Sequence, residues 1–66
     1  MKFSERLKEL RIAKGLSQMQ LAIELHISQS AIEKWELGKT EPTASAIILI
    51  AKYFNETTEY VLGLVD

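Results

Sequence analysis

Apolar residues recur along this chain at helical spacing, and no stretch alternates with the period of a strand. Phe3, Leu7 and Leu10 fall at i, i+4 and i+7 with charged residues between them, which predicts an amphipathic helix over residues 3–14, stopped at Gly15. Ser17-Gln18-Met19-Gln20 has the form of a capping box, in which the serine oxygen and the glutamine side chain satisfy free backbone N–H groups reciprocally, so a second helix is predicted to begin there. Its inward residues are Leu21, Ala22 and Leu25, and it must end near His26, because Ile27-Ser28 already starts another cap. Residues 26–28 are all that remains for the turn. Ser28 caps a third helix, which Gly38 closes. Beyond Pro42, Thr43 is the cap candidate for a fourth helix whose AIILIAKYF run is apolar almost all round and is therefore expected at the centre of the domain. Asn55-Glu56 makes a turn, Thr57 can cap, and Tyr60, Val61, Leu62 and Leu64 supply a last short helix. The predicted architecture is all-α, with five helices in a single domain over residues 1–66.

The third helix has two unlike sides. With Gln29 at zero and about 100 degrees per residue, Ala31, Trp35 and Ile32 fall at about 200, 240 and 300 degrees and form an apolar stripe turned to the core. Gln29, Glu33, Ser30 and Lys34 fall at about 0, 40, 100 and 140 degrees and face outward. Short polar side chains near the start of a helix match the donors and acceptors that base edges present in a DNA major groove. Glutamine can bond adenine through N6 and N7, serine serves several bases, glutamate accepts from cytosine N4, and lysine reaches guanine or phosphate. Two helices joined by so short a turn, the second bearing such a face, have the helix-turn-helix form.

Composition narrows the remaining classes. A chain of 66 residues buries only about 60% of the surface its unfolded form exposes, so one compact core has to suffice. There is no cysteine, which removes disulfides, thiolate metal sites and a cysteine nucleophile. The longest apolar run, residues 46–51, is far short of the roughly 20 residues of a membrane span. Met1-Lys2 leads straight into a charged amphipathic segment with no signal core, so secretion is not expected and the cytoplasm is the expected location. Net charge is -1, which argues against attraction to polyanions through the overall field. The charge is uneven, however: seven of the eight basic residues lie in residues 1–39, while residues 40–66 hold Lys52 against Glu41, Glu56, Glu59 and Asp66.

The run from Leu16 to Pro42, LSQMQLAIELHISQSAIEKWELGKTEP, resembles the lambdoid phage repressor and Cro family, also called XRE-type helix-turn-helix proteins. The elements that carry the likeness are Leu16-Ser17-Gln18, Leu21-Ala22, Ile27-Ser28, Ile32, Trp35-Glu36, Gly38 and Pro42, with Leu7, Leu10 and Arg11 in the first helix. It extends from Phe3 to Gly63. The resemblance implies a five-helix lambda-repressor-like domain with the helix-turn-helix at helices two and three, no cofactor and no enzymatic activity. It implies base reading by Gln29, Ser30 and Lys34, with Glu33 on the same face. Gln18 at the start of helix two, Ser28, and Lys39 and Thr40 after helix three would hold DNA phosphates, and Arg11 with Glu36 would form a structural ion pair. Pairing through the C-terminal helix region, here Tyr60, Leu64 and Val65, would give a homodimer on a palindromic operator, with repression favoured over activation.

Three departures from the family pattern stand out. His26 occupies a turn position usually held by glycine, and histidine is among the better substitutes there. Leu37 replaces the polar or basic residue often found before the glycine, removing one phosphate contact, and with Glu41 nearby weak nonspecific affinity is expected. Met19 and Ile23, at i and i+4, stand where relatives carry polar residues. They keep a rival reading open: an antitoxin-like or anti-repressor module that grips a protein through Met19, Ile23 and the acidic C-terminal half. Catalysis has little to stand on. His26 has no second histidine or cysteine with which to bind a metal, the serines at 17, 28 and 30 lack a paired base and acid, and Trp35 falls on the core stripe rather than on a stacking surface.

Overall fold

The computed structural model describes residues 2–66 and consists of α1 (Lys2–Ala13), α2 (Gln18–Leu25), α3 (Gln29–Glu36), α4 (Ala44–Phe54) and α5 (Thr58–Val61). Each helix after the first starts at a hydroxyl cap. The side chains of Ser17, Ser28, Thr43 and Thr57 accept from the backbone N–H of Gln20, Ala31, Ala46 and Tyr60 at 3.0–3.1 Å. At α2 the box is complete, since Ser17 N–H also donates to Gln20 Oε1 at 2.8 Å.

One fully buried aliphatic residue comes from every helix: Leu7, Leu21, Ile32, Ile50 and Val61. Each contributes about 1.5–3 kcal/mol of transfer free energy, and together they tie all five elements to one core. Phe3 and Trp35 add an edge-to-face contact between α1 and α3, with centroids 6.2 Å apart and planes at 74°. Trp35 is thus a packing residue.

Two expectations need correction. The fourth helix is not buried all round: Ile47, Ile50 and Ala51 face the core, while Ile48 and Leu49 lie exposed at 48% and 39%. It packs chiefly against α2 and α5, and among the described residues no further helix covers its other side. The last helix is shorter than predicted and excludes Leu64. It ends at Val61 with Leu62 as its cap, and Gly63 at φ +77° turns the chain, leaving Leu64 and Val65 beyond it on the surface.

That turn is pressed against the start of α1. A Cβ at Gly63 would lie 2.6 Å from Lys2 Cβ and 3.3 Å from the Lys2 carbonyl oxygen, at a φ that itself costs an L-residue about 1–2 kcal/mol. Gly63→Ala is expected to lose about 2 kcal/mol or more, which lowers the thermal midpoint by about 8 °C or more in a domain of this size. An unchanged midpoint would mean that residues 63–66 lift off α1 without loss.

Candidate nucleic-acid interface

The geometry of the α2–α3 pair is set by the turn between the two helices. His26 adopts the left-handed conformation, φ 57° and ψ 41°, and Ile27 N–H reaches back to the Ala22 carbonyl at 3.0 Å. This is the C-terminal closure that glycine ordinarily provides. Ile27 then tucks against the core, and Ser28, in extended conformation, opens α3 at once.

On α3 the two predicted sides separate as the helical angles require. Ile32 and Trp35 are buried and Ala31 half-buried, whereas Gln29, Ser30, Glu33 and Lys34 are all exposed. Lys39 and Thr40 are exposed just beyond the helix, where Gly38 at φ 72° ends it and Lys39 N–H bonds the Lys34 carbonyl at 2.9 Å. Ser28 Oγ is an acceptor in its cap, so its own hydroxyl proton is left for an acceptor outside the protein. Seven exposed polar residues, Ser28 included, therefore lie on or beside one helix face, two of them lysines.

Beneath this surface sits an ion pair. Arg11 Nε and Nη2 donate to Glu36 Oε2 and Oε1 at 2.7 and 3.0 Å, a two-point fork, and Arg11 Nη1 donates to the Leu16 carbonyl at 2.9 Å. The side chains are 12% and 4% exposed, so the pair is buried rather than superficial. Its hydrogen bonds to Glu36 hold the guanidinium above its usual range, against the opposing effect of burial. Gln18 joins the pair, because its Nε2 donates to Glu36 Oε1 at 3.1 Å. Sequence reading gave Gln18 and Glu36 separate tasks and missed this bond, for which a spacing of 18 residues offers no signal.

The residues expected at a dimer contact are unequally placed. Leu64 and Val65 are exposed, but Tyr60 is half-buried with the Arg6 guanidinium 3.9 Å above its ring. Arg6 Nη1 also donates to the carbonyls of Tyr60 and Val65 at 2.7 and 3.3 Å, holding the C-terminal segment to α1. In the sequence Arg6 is indistinguishable from the solvated charges around it. Met19 and Ile23 are exposed at 56% and 67% on α2. Among the described residues no cluster of three or more His, Cys, Asp or Glu side chains is placed to hold a metal, and no helix is long and apolar enough to cross a membrane.

Comparison with known proteins agrees with this geometry. Residues 7–61 match the model of a helix-turn-helix family, and the chain belongs to that family. It is 44% identical over 63 residues to the HTH-type transcriptional activator BcrR of Enterococcus faecalis, covering 96% of this chain and 31% of that protein. It is 35% identical over 60 residues to the SPbeta prophage-derived HTH-type transcriptional regulator YonR of Bacillus subtilis, covering 91% of this chain and 56% of that one. The chain thus spans from about a third to just over half the length of these relatives. The restriction-modification controller protein C.AhdI from Aeromonas hydrophila has the same fold, with a TM-score of 0.82, 33% identity and 91% of each chain covered.

Proposed function

We propose that this chain is a sequence-specific double-stranded DNA-binding regulator of transcription, reading the major groove with α3. The observation that carries the reading is the division of α3, with Ile32 and Trp35 locked in the core while Gln29, Ser30, Glu33 and Lys34 stand exposed along the opposite side. A helix so anchored can enter a groove without disturbing the fold. Gln18, Ser28, Lys39 and Thr40 surround that face as phosphate ligands and set its register on the duplex. Names of relatives as transcriptional regulators, and of the structural neighbour as a controller protein, support the same reading.

In this reading two copies bind side by side, since one module of 66 residues reads few base pairs and a second about 34 Å away supplies the missing discrimination. Leu64 and Val65, exposed beside the Arg6-held Tyr60, are the pairing residues. The bound dimer covers promoter DNA and represses. Selection of bound sequences from random duplex DNA tests all of this together: a palindromic motif with half-sites one helical turn apart is expected, and enrichment of no motif would overturn the reading. A reporter placed behind the selected site should fall when the protein is expressed. A rise would put the chain with activators, as the name of its Enterococcus relative has it.

Lys39 separates positioning from reading. Lys39→Ala should weaken binding to all sequences alike and reduce the slope of log affinity against log salt by about 1. A loss confined to certain sequences would remove Lys39 from the phosphate set. The second reading, a module that grips another protein, draws on the exposure of Met19 and Ile23. Unselective weak DNA binding alongside a stoichiometric protein complex abolished by Ile23→Lys would favour it.

A further inference from the structure

We propose that Glu36 is a positioning residue for DNA binding: by holding the carboxamide of Gln18 it presents a fixed N–H donor at the start of α2. The proposal rests on the reading of Gln18 as a phosphate ligand. A glutamine side chain has three rotatable bonds, and its carboxamide can present either end. A free Gln18 would offer oxygen to a phosphate as readily as nitrogen, and oxygen against phosphate is repulsive. The Glu36 carboxylate, an acceptor only when ionised, removes that ambiguity. Its Oε1, 3.1 Å from Gln18 Nε2, can be satisfied only by the nitrogen end. One amide hydrogen is engaged there, and the second remains for an acceptor outside the protein.

The same carboxylate would otherwise be a poor neighbour for a phosphate. Glu36 is 4% exposed and both its oxygens are covered by the Arg11 fork at 2.7 and 3.0 Å. Its negative charge is therefore balanced by Arg11, which shares Oε1 with Gln18, and the carboxylate can orient an amide without repelling the DNA backbone. Arg11 in turn is anchored to the Leu16 carbonyl at 2.9 Å, two residues before Gln18, so the chain entering α2 and the side chain at its first position are held by one network. The fork serves the fold. The third bond, to Gln18, serves the ligand.

A double-mutant cycle on binding to random-sequence duplex DNA, at low and at physiological salt, tests this. Gln18→Ala is expected to weaken binding about tenfold or more, the effect of one lost charge-assisted hydrogen bond. If it has no effect, the phosphate reading of Gln18 fails, and this proposal with it. Glu36→Gln in the wild-type background is expected to weaken binding about threefold, because the amide it introduces no longer dictates which end of Gln18 faces it. In the Gln18→Ala background the same change is expected to do nothing further. An equal loss in both backgrounds, with Gln18→Ala itself deleterious, would show that Glu36 acts on DNA only through the fold and would overturn the proposal while leaving Gln18 a phosphate ligand. Should Glu36→Gln fail to fold, the paired replacement of Arg11 by Met and Glu36 by Leu, which strands no charge, takes its place with the same expectations. In the free protein, the two side-chain amide protons of Gln18 should give dispersed NMR resonances that move to the positions of solvent-exposed glutamines in Glu36→Gln and in the paired replacement. Exposed-type resonances in the wild type would also overturn it.

Discussion

Replacing Glu36 by alanine is expected to destabilise the domain by about 3–5 kcal/mol, because it leaves the Arg11 guanidinium buried without its counter-charge. The magnitude follows from burial: an exposed pair is worth at most about 1 kcal/mol, but here the side chains are only 12% and 4% exposed and joined at two points. At about 0.05–0.15 kcal/mol per residue, a 66-residue domain has a total stability of about 3–10 kcal/mol. The variant should therefore lose about a third or more of that stability, with a thermal midpoint lower by at least about 12 °C. Circular dichroism on heating reads this directly. The paired Arg11→Met, Glu36→Leu replacement is expected to retain far more of the midpoint, since both charges leave together and only the Leu16 carbonyl and the Gln18 amide lose a partner. A midpoint for Glu36→Ala within about 2 °C of wild type would reduce the pair to a surface contact. Its hydrogen bonds to Glu36 hold the Arg11 guanidinium above its already high usual range, so the contribution of the pair on this account is complete below that range and fades only as pH rises through it. No loss on that account is expected across the physiological range.

The second large effect falls on binding rather than folding. Gln29→Ala removes an exposed first-turn side chain that has no part in the core, so the stability should stay within about 0.5 kcal/mol of wild type. Affinity for the selected operator is expected to fall by about 1–3 kcal/mol, a factor of about 5 to 150, with discrimination relaxed at one base pair in each half-site. Affinity for random duplex should barely change, and this separates Gln29 from the phosphate ligands. Operator binding as tight as wild type would remove Gln29 from the reading face.

Local features of this fold were legible in the sequence because their physics is local. Ser17, Ser28, Thr43 and Thr57 each cap the helix that follows, and the two sides of α3 follow from a fixed angle per residue. Trp35 and His26 were placed by the same reasoning. Legibility ended where partners are distant in the chain. Nothing near Arg6 announces a contact 54 residues away at Tyr60, and nothing near Gln18 points to Glu36. The fourth helix misled for another reason. Its composition is that of a buried segment, but burial depends on which neighbours pack against a helix, and α2 and α5 cover only the side of Ile47, Ile50 and Ala51, leaving Ile48 and Leu49 exposed.

A histidine at the left-handed corner between the two central helices has a consequence for stiffness. Glycine at that corner would relieve backbone strain in the native state, yet it would also widen the conformations open to the denatured chain, and the two tendencies oppose one another. His26→Gly is accordingly expected to alter equilibrium stability by less than about 1 kcal/mol, with amide exchange at Ile27 and Ser28 as the sensitive readout. Faster exchange there at unchanged global stability would identify the imidazole-bearing residue as a brake on hinge motion, one that keeps the two helices at a constant angle before any duplex arrives.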